Sequence, residues 1–315
     1  MHLPPLATLA VLLFATAAQA AEPPPSPILL SDHPLAGRIW HPASSRMLSP
    51  DELAAHAIEA NALLLGETHD NPDHHAVQAW MVRRVAAAGR RPAAAFEMID
   101  SDQQAILDAS RKTGIDGLGE ALAWEKRGWP AWTLYRPIAE AVTGAGGRLA
   151  ATNLPAPLTR QIARGQDTPE TTARFGLDQP PPPATAAALA EDIRAGHCHM
   201  LPEAAVPGMV RVQRARDAAM AEAVASLARD PVLGPAVLIA GSGHVRTDHG
   251  VPARLRQVAP ELRSFSLALM EVEPGQTEPA SYGPLPFDAV WFTGRTQRED
   301  PCDQMRQHMK KKDGG

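Results

Sequence analysis

Leu63-Leu64-Leu65-Gly66-Glu67-Thr68-His69 and Val237-Leu238-Ile239-Ala240-Gly241-Ser242-Gly243-His244 repeat one pattern: a short apolar run, then Gly-x-x-His. Apolar runs without alternating polar positions describe strands buried on both faces, as in a parallel sheet covered by helices. The glycine lets the chain turn sharply where each run stops. Further strand-like runs lie around these two. They are Arg91 to Glu97, Arg148 to Asn153, the stretch around Ser264 to Glu271, and Phe287 to Thr293.

Helical segments alternate with the runs. Ser49, Pro50 and Glu52 form a helix start with a capping box, and Ser101 with Gln104 predicts a second one. Pro72 to Ala88, Thr185 to Ala195, Glu203 to Ala228 and Val251 to Gln257 also read as helices. Strands alternating with helices predict an α/β fold, with a parallel-rich central sheet and helices on both faces. Two strand-free stretches, about 100–132 and 155–200, are expected to form a smaller helical cap subdomain. The expected organisation is a Pro-rich lead-in over 21–48, the α/β domain over 49–295 and a polar tail over 296–315.

A chain of 315 residues, 44% hydrophobic, can bury a sizeable core. The net charge of −5 comes with no long basic block, which argues against nucleic acid as a partner. The first twenty residues read as a cleavable export signal. Leu6 to Ala17 is too short to span a bilayer, and Ala18-Gln19-Ala20 matches the A-x-A cleavage pattern. No cysteine follows the expected cut. The reading is a periplasmic protein without a lipid anchor and with no transmembrane segment in the mature chain. In such a compartment Cys198 and Cys302 form either one disulfide or two separate thiols.

Open α/β sheets bind ligands at the carboxyl ends of their strands. Here those ends carry Glu67 and His69, then Glu97, then Asn153, then Ser242 and His244. Two imidazoles and two carboxylates in one crevice would make a metal site or an acid–base site. The simpler alternative treats Gly66 and Gly241 as plain turns and the histidines as helix caps. No H-E-x-x-H zinc motif and no G-x-S-x-G nucleophile elbow is present. His74 and His75 follow His69 closely, with Asp70 or Asn71 placed to cap the helix opening at Pro72. His197 and His199 flank Cys198 in what reads as an exposed loop. Gln213, Asp217 and Met220 share one face of a helix, where Asp217 could pair with Arg214. Trp124, Trp129, Trp132 and Tyr135 cluster with Arg127 and Arg136. Most of these rings read as packing.

Taken together, LLLGETHDNPDHHAVQ, AFEM, WPAWTLYRPI, ATNLP, QRARDAAMA and VLIAGSGHVRTDHGVP resemble the ChaN-like haem-binding uptake family. That family sits in a wider group with Tiki and TraB proteins and erythromycin esterases. The resemblance implies an exported haem-binding protein of haem and iron acquisition. Haem would lie at a homodimer interface, with an outer-membrane haem-uptake system as a further partner. It implies Tyr135 as haem ligand, with Arg136 or Arg127 near the propionates and His74 in the same cofactor-binding set. From the wider group it implies a second possibility, a metal-dependent hydrolase of peptidase or esterase type. There Glu67, His69, Glu97 and His244 would be the catalytic residues and the ligands of a divalent Mn, Co or Zn ion.

Overall fold

The computed structural model describes residues 28–300, 302–303 and 305–306. The expected export signal and the Lys310–Lys312 run lie outside the described residues. In chain order the strands are β1 (Ile28–Leu29), β2 (Ile39–His41), β3 (Arg46–Leu48), β4 (Ala62–Glu67) and β5 (Ala93–Asp100), followed by β6 (Arg148–Asn153), β7 (Ala236–Gly241), β8 (Ser264–Glu271), β9 (Ala289–Thr293) and β10 (Arg295–Thr296). The helices are α1 (Pro50–Glu59), α2 (Pro72–Ala87), α3 (Gln104–Thr113), α4 (Leu118–Ala121) and α5 (Trp132–Gly144), then α6 (Ala156–Ala163), α7 (Pro169–Phe175), α8 (Pro183–Gly196), α9 (Val206–Ala228) and α10 (Val251–Val258).

Eight strands form one sheet in the order β3-β2-β9-β8-β4-β7-β5-β6. The strands from β9 to β6 are parallel, and the two Gly-x-x-His strands β4 and β7 are direct neighbours at its centre. The β2–β3 hairpin adds an antiparallel edge on β9. That hairpin falls in the stretch expected to be an unstructured lead-in. Its strands are three residues each, too short to show a period of two. β1 pairs antiparallel with β10, which ties the lead-in to the start of the tail.

Alternate residues of the central strands serve opposite layers. Leu63, Leu65, Val237 and Ile239 join one apolar cluster, while Leu64, Leu238 and Ala240 join the other. This is why β4 and β7 read as unbroken apolar runs. The first layer packs α1, α2 and α5, and the second packs α9 and α10. Leu107, Leu118, Leu122 and Trp124 belong to the first cluster. The stretch 100–132 is therefore part of that layer. The stretch from Leu154 to Leu177 forms a small cluster of its own against Ala215, Ala218 and Ala219 of α9. Among the described residues, no helix is long and apolar enough to cross a membrane.

Ser49 caps α1 through the expected reciprocal pair with Glu52, at 3.2 and 2.7 Å. The capping box expected at Ser101 and Gln104 does not form. A 3₁₀ turn intervenes, and Gln104 instead receives the Ala151 N–H of β6 at 2.8 Å. Pairing with a strand satisfies an interior amide that a local cap would leave open.

Gly66 is required by packing. A Cβ there would run into the Val245 side chain and come within 2.9 Å of Ser242 Cα. Gly66→Ala is expected to cost about 1–3 kcal/mol in urea unfolding, the usual penalty of forcing a group into a filled core. Gly243→Ala, where a Cβ meets nothing within 4 Å, should leave the midpoint unchanged. Equal behaviour of the two variants would show that the seat at Gly66 is not tight.

Candidate functional site: a buried carboxylate and imidazole array

The first glycine of the repeated motif makes room for the turn of the second. Gly66 seats the 3₁₀ turn Ser242–Val245 that carries His244. At Gly241 a Cβ would lie 3.4 Å from His69 Nε2 and 3.6 Å from Glu97 Oε2. The strand ends therefore converge, and Glu67, His69, Glu97 and His244 stand in one array.

Glu67 is the last residue of β4, and its carboxylate is enclosed. Oε1 accepts from Tyr135 Oη at 2.7 Å and faces His69 Nδ1 at 2.8 Å. Oε2 accepts from Gln78 Nε2 at 2.7 Å and lies 3.3 Å from His75 Nδ1. Burial alone would push this carboxyl up, but His75 and His69 hold it well below the usual range. The same pairing raises His75 and His69 against the opposing effect of burial. The His69 side chain remains 33% exposed, and its Nε2 lies 4.0 Å from Glu97 Oε2. The Trp129 ring lies edge-on against it, with centroids 5.1 Å apart.

Glu97, from β5, is the second anion. Oε2 accepts the Gly241 N–H at 2.7 Å. Oε1 accepts from Arg216 at 2.7 Å and lies 3.3 Å from His244 Nε2. Arg216 also donates to Asn153 Oδ1 at the end of β6, at 3.0 Å. On its far side, His244 Nδ1 meets Asp217 Oδ1 at 2.6 Å and Gln213 Nε2 at 3.1 Å. Burial would strip the proton from His244. Glu97 and Asp217 override it and push its pKa up to about 9. His244 is thus an imidazolium clamped between two carboxyl groups.

The four residues expected as metal ligands converge, and their oxygens are engaged by Tyr135, Gln78, Arg216 and a backbone amide. Among the described residues, no group of three or more His, Cys, Asp or Glu is arranged to hold a metal ion. What the array offers is a carboxylate-anchored imidazole at His69, able to accept a proton or donate a nitrogen lone pair at Nε2.

The residues expected around haem are placed less openly. Tyr135 is fully buried, and burial with the Glu67 carboxylate pushes its phenol up. Its hydroxyl is directed at Glu67 and not at the crevice. Arg136 is on the surface, paired with Asp116 and Glu140 at 2.7 Å each. Arg127 pairs with Asp100 at 2.8 Å, at the carboxyl end of β5. His74 is buried, takes the Thr68 N–H on Nδ1 at 2.8 Å and meets Thr293 Oγ1 at 2.8 Å. Burial lowers its pKa to about 3, so it is a neutral structural link between β4 and β9. Asn71, not Asp70, caps α2, accepting the Asp73 N–H at 2.9 Å. Asp217 pairs with His244 and not with Arg214.

Sequence reading did not assign His75, Gln78 and Arg216 to the site. They lie on α2 and α9, whose other polar positions follow ordinary amphipathic spacing, so the sequence carries no local signal for them. Cys198 and Cys302 form a disulfide, resolving the alternatives left open above. His199 is exposed beside it.

A parallel sheet with helices on both faces, bearing paired Gly-x-x-His turns at adjacent strand ends, defines the class of protein. The family model described as "Haem-binding uptake, Tiki superfamily, ChaN" matches residues 53–255, and the chain belongs to that family. Among solved structures, the chain is similar to ChaN of Campylobacter jejuni, described as binding haem cofacially. The identity is 20%, the TM-score 0.64, and the match covers 80% of this chain and 95% of that one. A mutant of the erythromycin esterase EreC matches at 14% identity and a TM-score of 0.42, covering 82% of each chain. The type III effector HopBA1 matches at 14% identity and a TM-score of 0.41, covering 77% of this chain and 92% of its own. No curated protein matches the sequence.

The clamped His244 makes stability depend on pH. Its folded pKa of about 9 exceeds the ordinary 6.5. The stabilisation is complete below about pH 6.5 and is lost as pH rises through about 9. The urea midpoint should fall across that window, and more gently in His244→Gln. A parent profile with the same slope as the variant's would remove the imidazolium from the account.

Proposed function

We propose that this protein binds haem at the rim of the crevice, as an exported component of haem and iron uptake. Family membership is the observation that carries the reading. The disulfide supports an oxidising compartment. Haem would pass to or from an outer-membrane uptake system, and a second copy of the chain would cover its outer face.

The rim fits haem in a particular way. The His69 side chain is one-third exposed, and Glu67 fixes its Nδ1. A carboxylate on one ring nitrogen is the usual support of an imidazole that ligates metal through the other. Trp129 supplies an apolar edge beside it. Arg127, paired with Asp100 at the end of β5, is placed to exchange that carboxylate for a propionate. Tyr135 does not fit as it stands. Tyrosinate ligation needs a deprotonated, accessible phenol, and both burial and Glu67 oppose this. We therefore assign iron ligation to His69, and to Tyr135 the task of orienting Glu67.

A haemin titration followed through the Soret band tests this. His69→Ala should weaken binding roughly 10–100-fold and change the spectrum. Tyr135→Phe should leave the band position unchanged. If Tyr135→Phe instead abolishes a tyrosinate charge-transfer band, the phenol is the ligand and the Trp-rich segment must open to expose it. A non-saturating titration of the parent protein would end the haem reading.

A further inference from the structure

A second cavity, of about 400 Å³, lies between the α7–α8 connection, α9 and α10. Its size is within the range of small-molecule sites. Its charge distribution is unusual. Arg214, Arg254 and Arg256 all line it, and none is held by a carboxylate. Arg214 donates to the carbonyls of Gly176 and Gln179, at 2.7 and 2.6 Å. Arg254 donates to Gln257 Oε1 at 2.9 Å, and its Nε is buried without a hydrogen-bond partner. Arg256 donates to the Thr247 carbonyl at 2.6 Å.

The backbone holds the first two guanidiniums together. Gly176 adopts φ +62°, and a Cβ there would lie 3.2 Å from an Arg254 terminal nitrogen. The same residue's carbonyl anchors Arg214. Burial, then the neighbouring Arg211 and Arg254, push the Arg214 pKa down against the weaker opposing pull of Asp178. The carboxylates in the wall are engaged elsewhere: Asp248 with Arg246 at 2.8 Å, and Asp217 with His244 at 2.6 Å. Phe175, Leu189 and Pro180 to Pro182 give the wall an apolar side, and Gln179, Thr185, His249 and Gln257 add polar groups.

We propose that this cavity binds a small organic oxyanion, its carboxylate or phosphate groups engaging Arg254 and Arg256 and its body lying against the proline segment. Planar guanidinium forks suit both oxyanions. Such an anion has two sources, a free small molecule or the propionates of haem.

Calorimetric titration of the full chain at low ionic strength, with citrate and with inorganic pyrophosphate as probes, separates them. We expect saturable binding that weakens with salt. Arg254→Gln and Arg256→Gln should each reduce it at least about tenfold, the scale of a charge-assisted contact. Unchanged urea midpoints would show that both variants fold; Arg256 is exposed and is the safer one. If neither probe binds but both variants weaken haemin by a similar factor, the oxyanion is the propionate. The proposal is overturned if neither probe binds and haemin affinity is unaltered, or if the variants bind the probes as the parent does. Failure of haemin to bind any form leaves a positive probe result standing, so the two readings fail separately.

Discussion

Two carboxylates, Glu67 of β4 and Glu97 of β5, are buried as anions on the two parallel strands that flank β7. An unpaired buried charge would destabilise the fold severely. Most of the residues surrounding the crevice answer that constraint. Glu67 receives Tyr135, Gln78 and two imidazoles, while Glu97 receives Arg216, a backbone amide and His244. These partners come from α2, α5 and α9, on both faces of the sheet. The electrostatic requirement therefore fixes how the helices sit, and not only how the crevice is lined.

Close approach of the strand ends makes such pairing possible. In the register of β4 and β7, Gly66 faces Ala240 and Glu67 faces Gly241. A Cβ at Gly66 would strike Val245 and Ser242 of the turn that carries His244, whereas a Cβ at Gly241 would meet His69 and Glu97 at ordinary contact distance. The first glycine of the repeated motif is thus fixed by packing against the turn of the second. Small residues do the same for the sheet as a whole. Ala93, Ala94 and Ala95 of β5 are fully buried, so the helices can pack close on both faces.

The parts of this arrangement that sit on strands were readable from sequence. A strand buried on both sides must be apolar throughout, so its end is marked by the first polar residue, and Glu67, Glu97, Asn153 and His244 were found in that way. The helical partners were not. His75, Gln78 and Arg216 lie on helices whose other positions obey ordinary amphipathic spacing, and nothing local separates a polar residue aimed at a buried anion from one facing solvent. Tyr135 is a different case. The resemblance implies it as a ligand, and in the fold its hydroxyl serves the buried Glu67 carboxylate, a use that only its contacts reveal. The Ser101 cap failed because Gln104 found a strand amide, a choice set by tertiary packing.

Helix α9 links the two ligand-accessible regions. Gln213, Arg216 and Asp217 are three or four residues apart and share a face, and all three reach the crevice. Arg214 is turned about a quarter of the way around the helix and enters the arginine-lined cavity. Asp217 belongs to both, since one oxygen binds His244 while the side chain forms part of the cavity wall. Its other oxygen, Oδ2, is buried without a hydrogen-bond partner. Burial holds the Asp217 carboxyl above its ordinary range, and His244 pulls it the other way. Glu97 shares His244 with Asp217, and its Oε2 is 4.0 Å from His69 Nε2, so the charge at His69 is set on one side by Glu67 and on the other by Glu97.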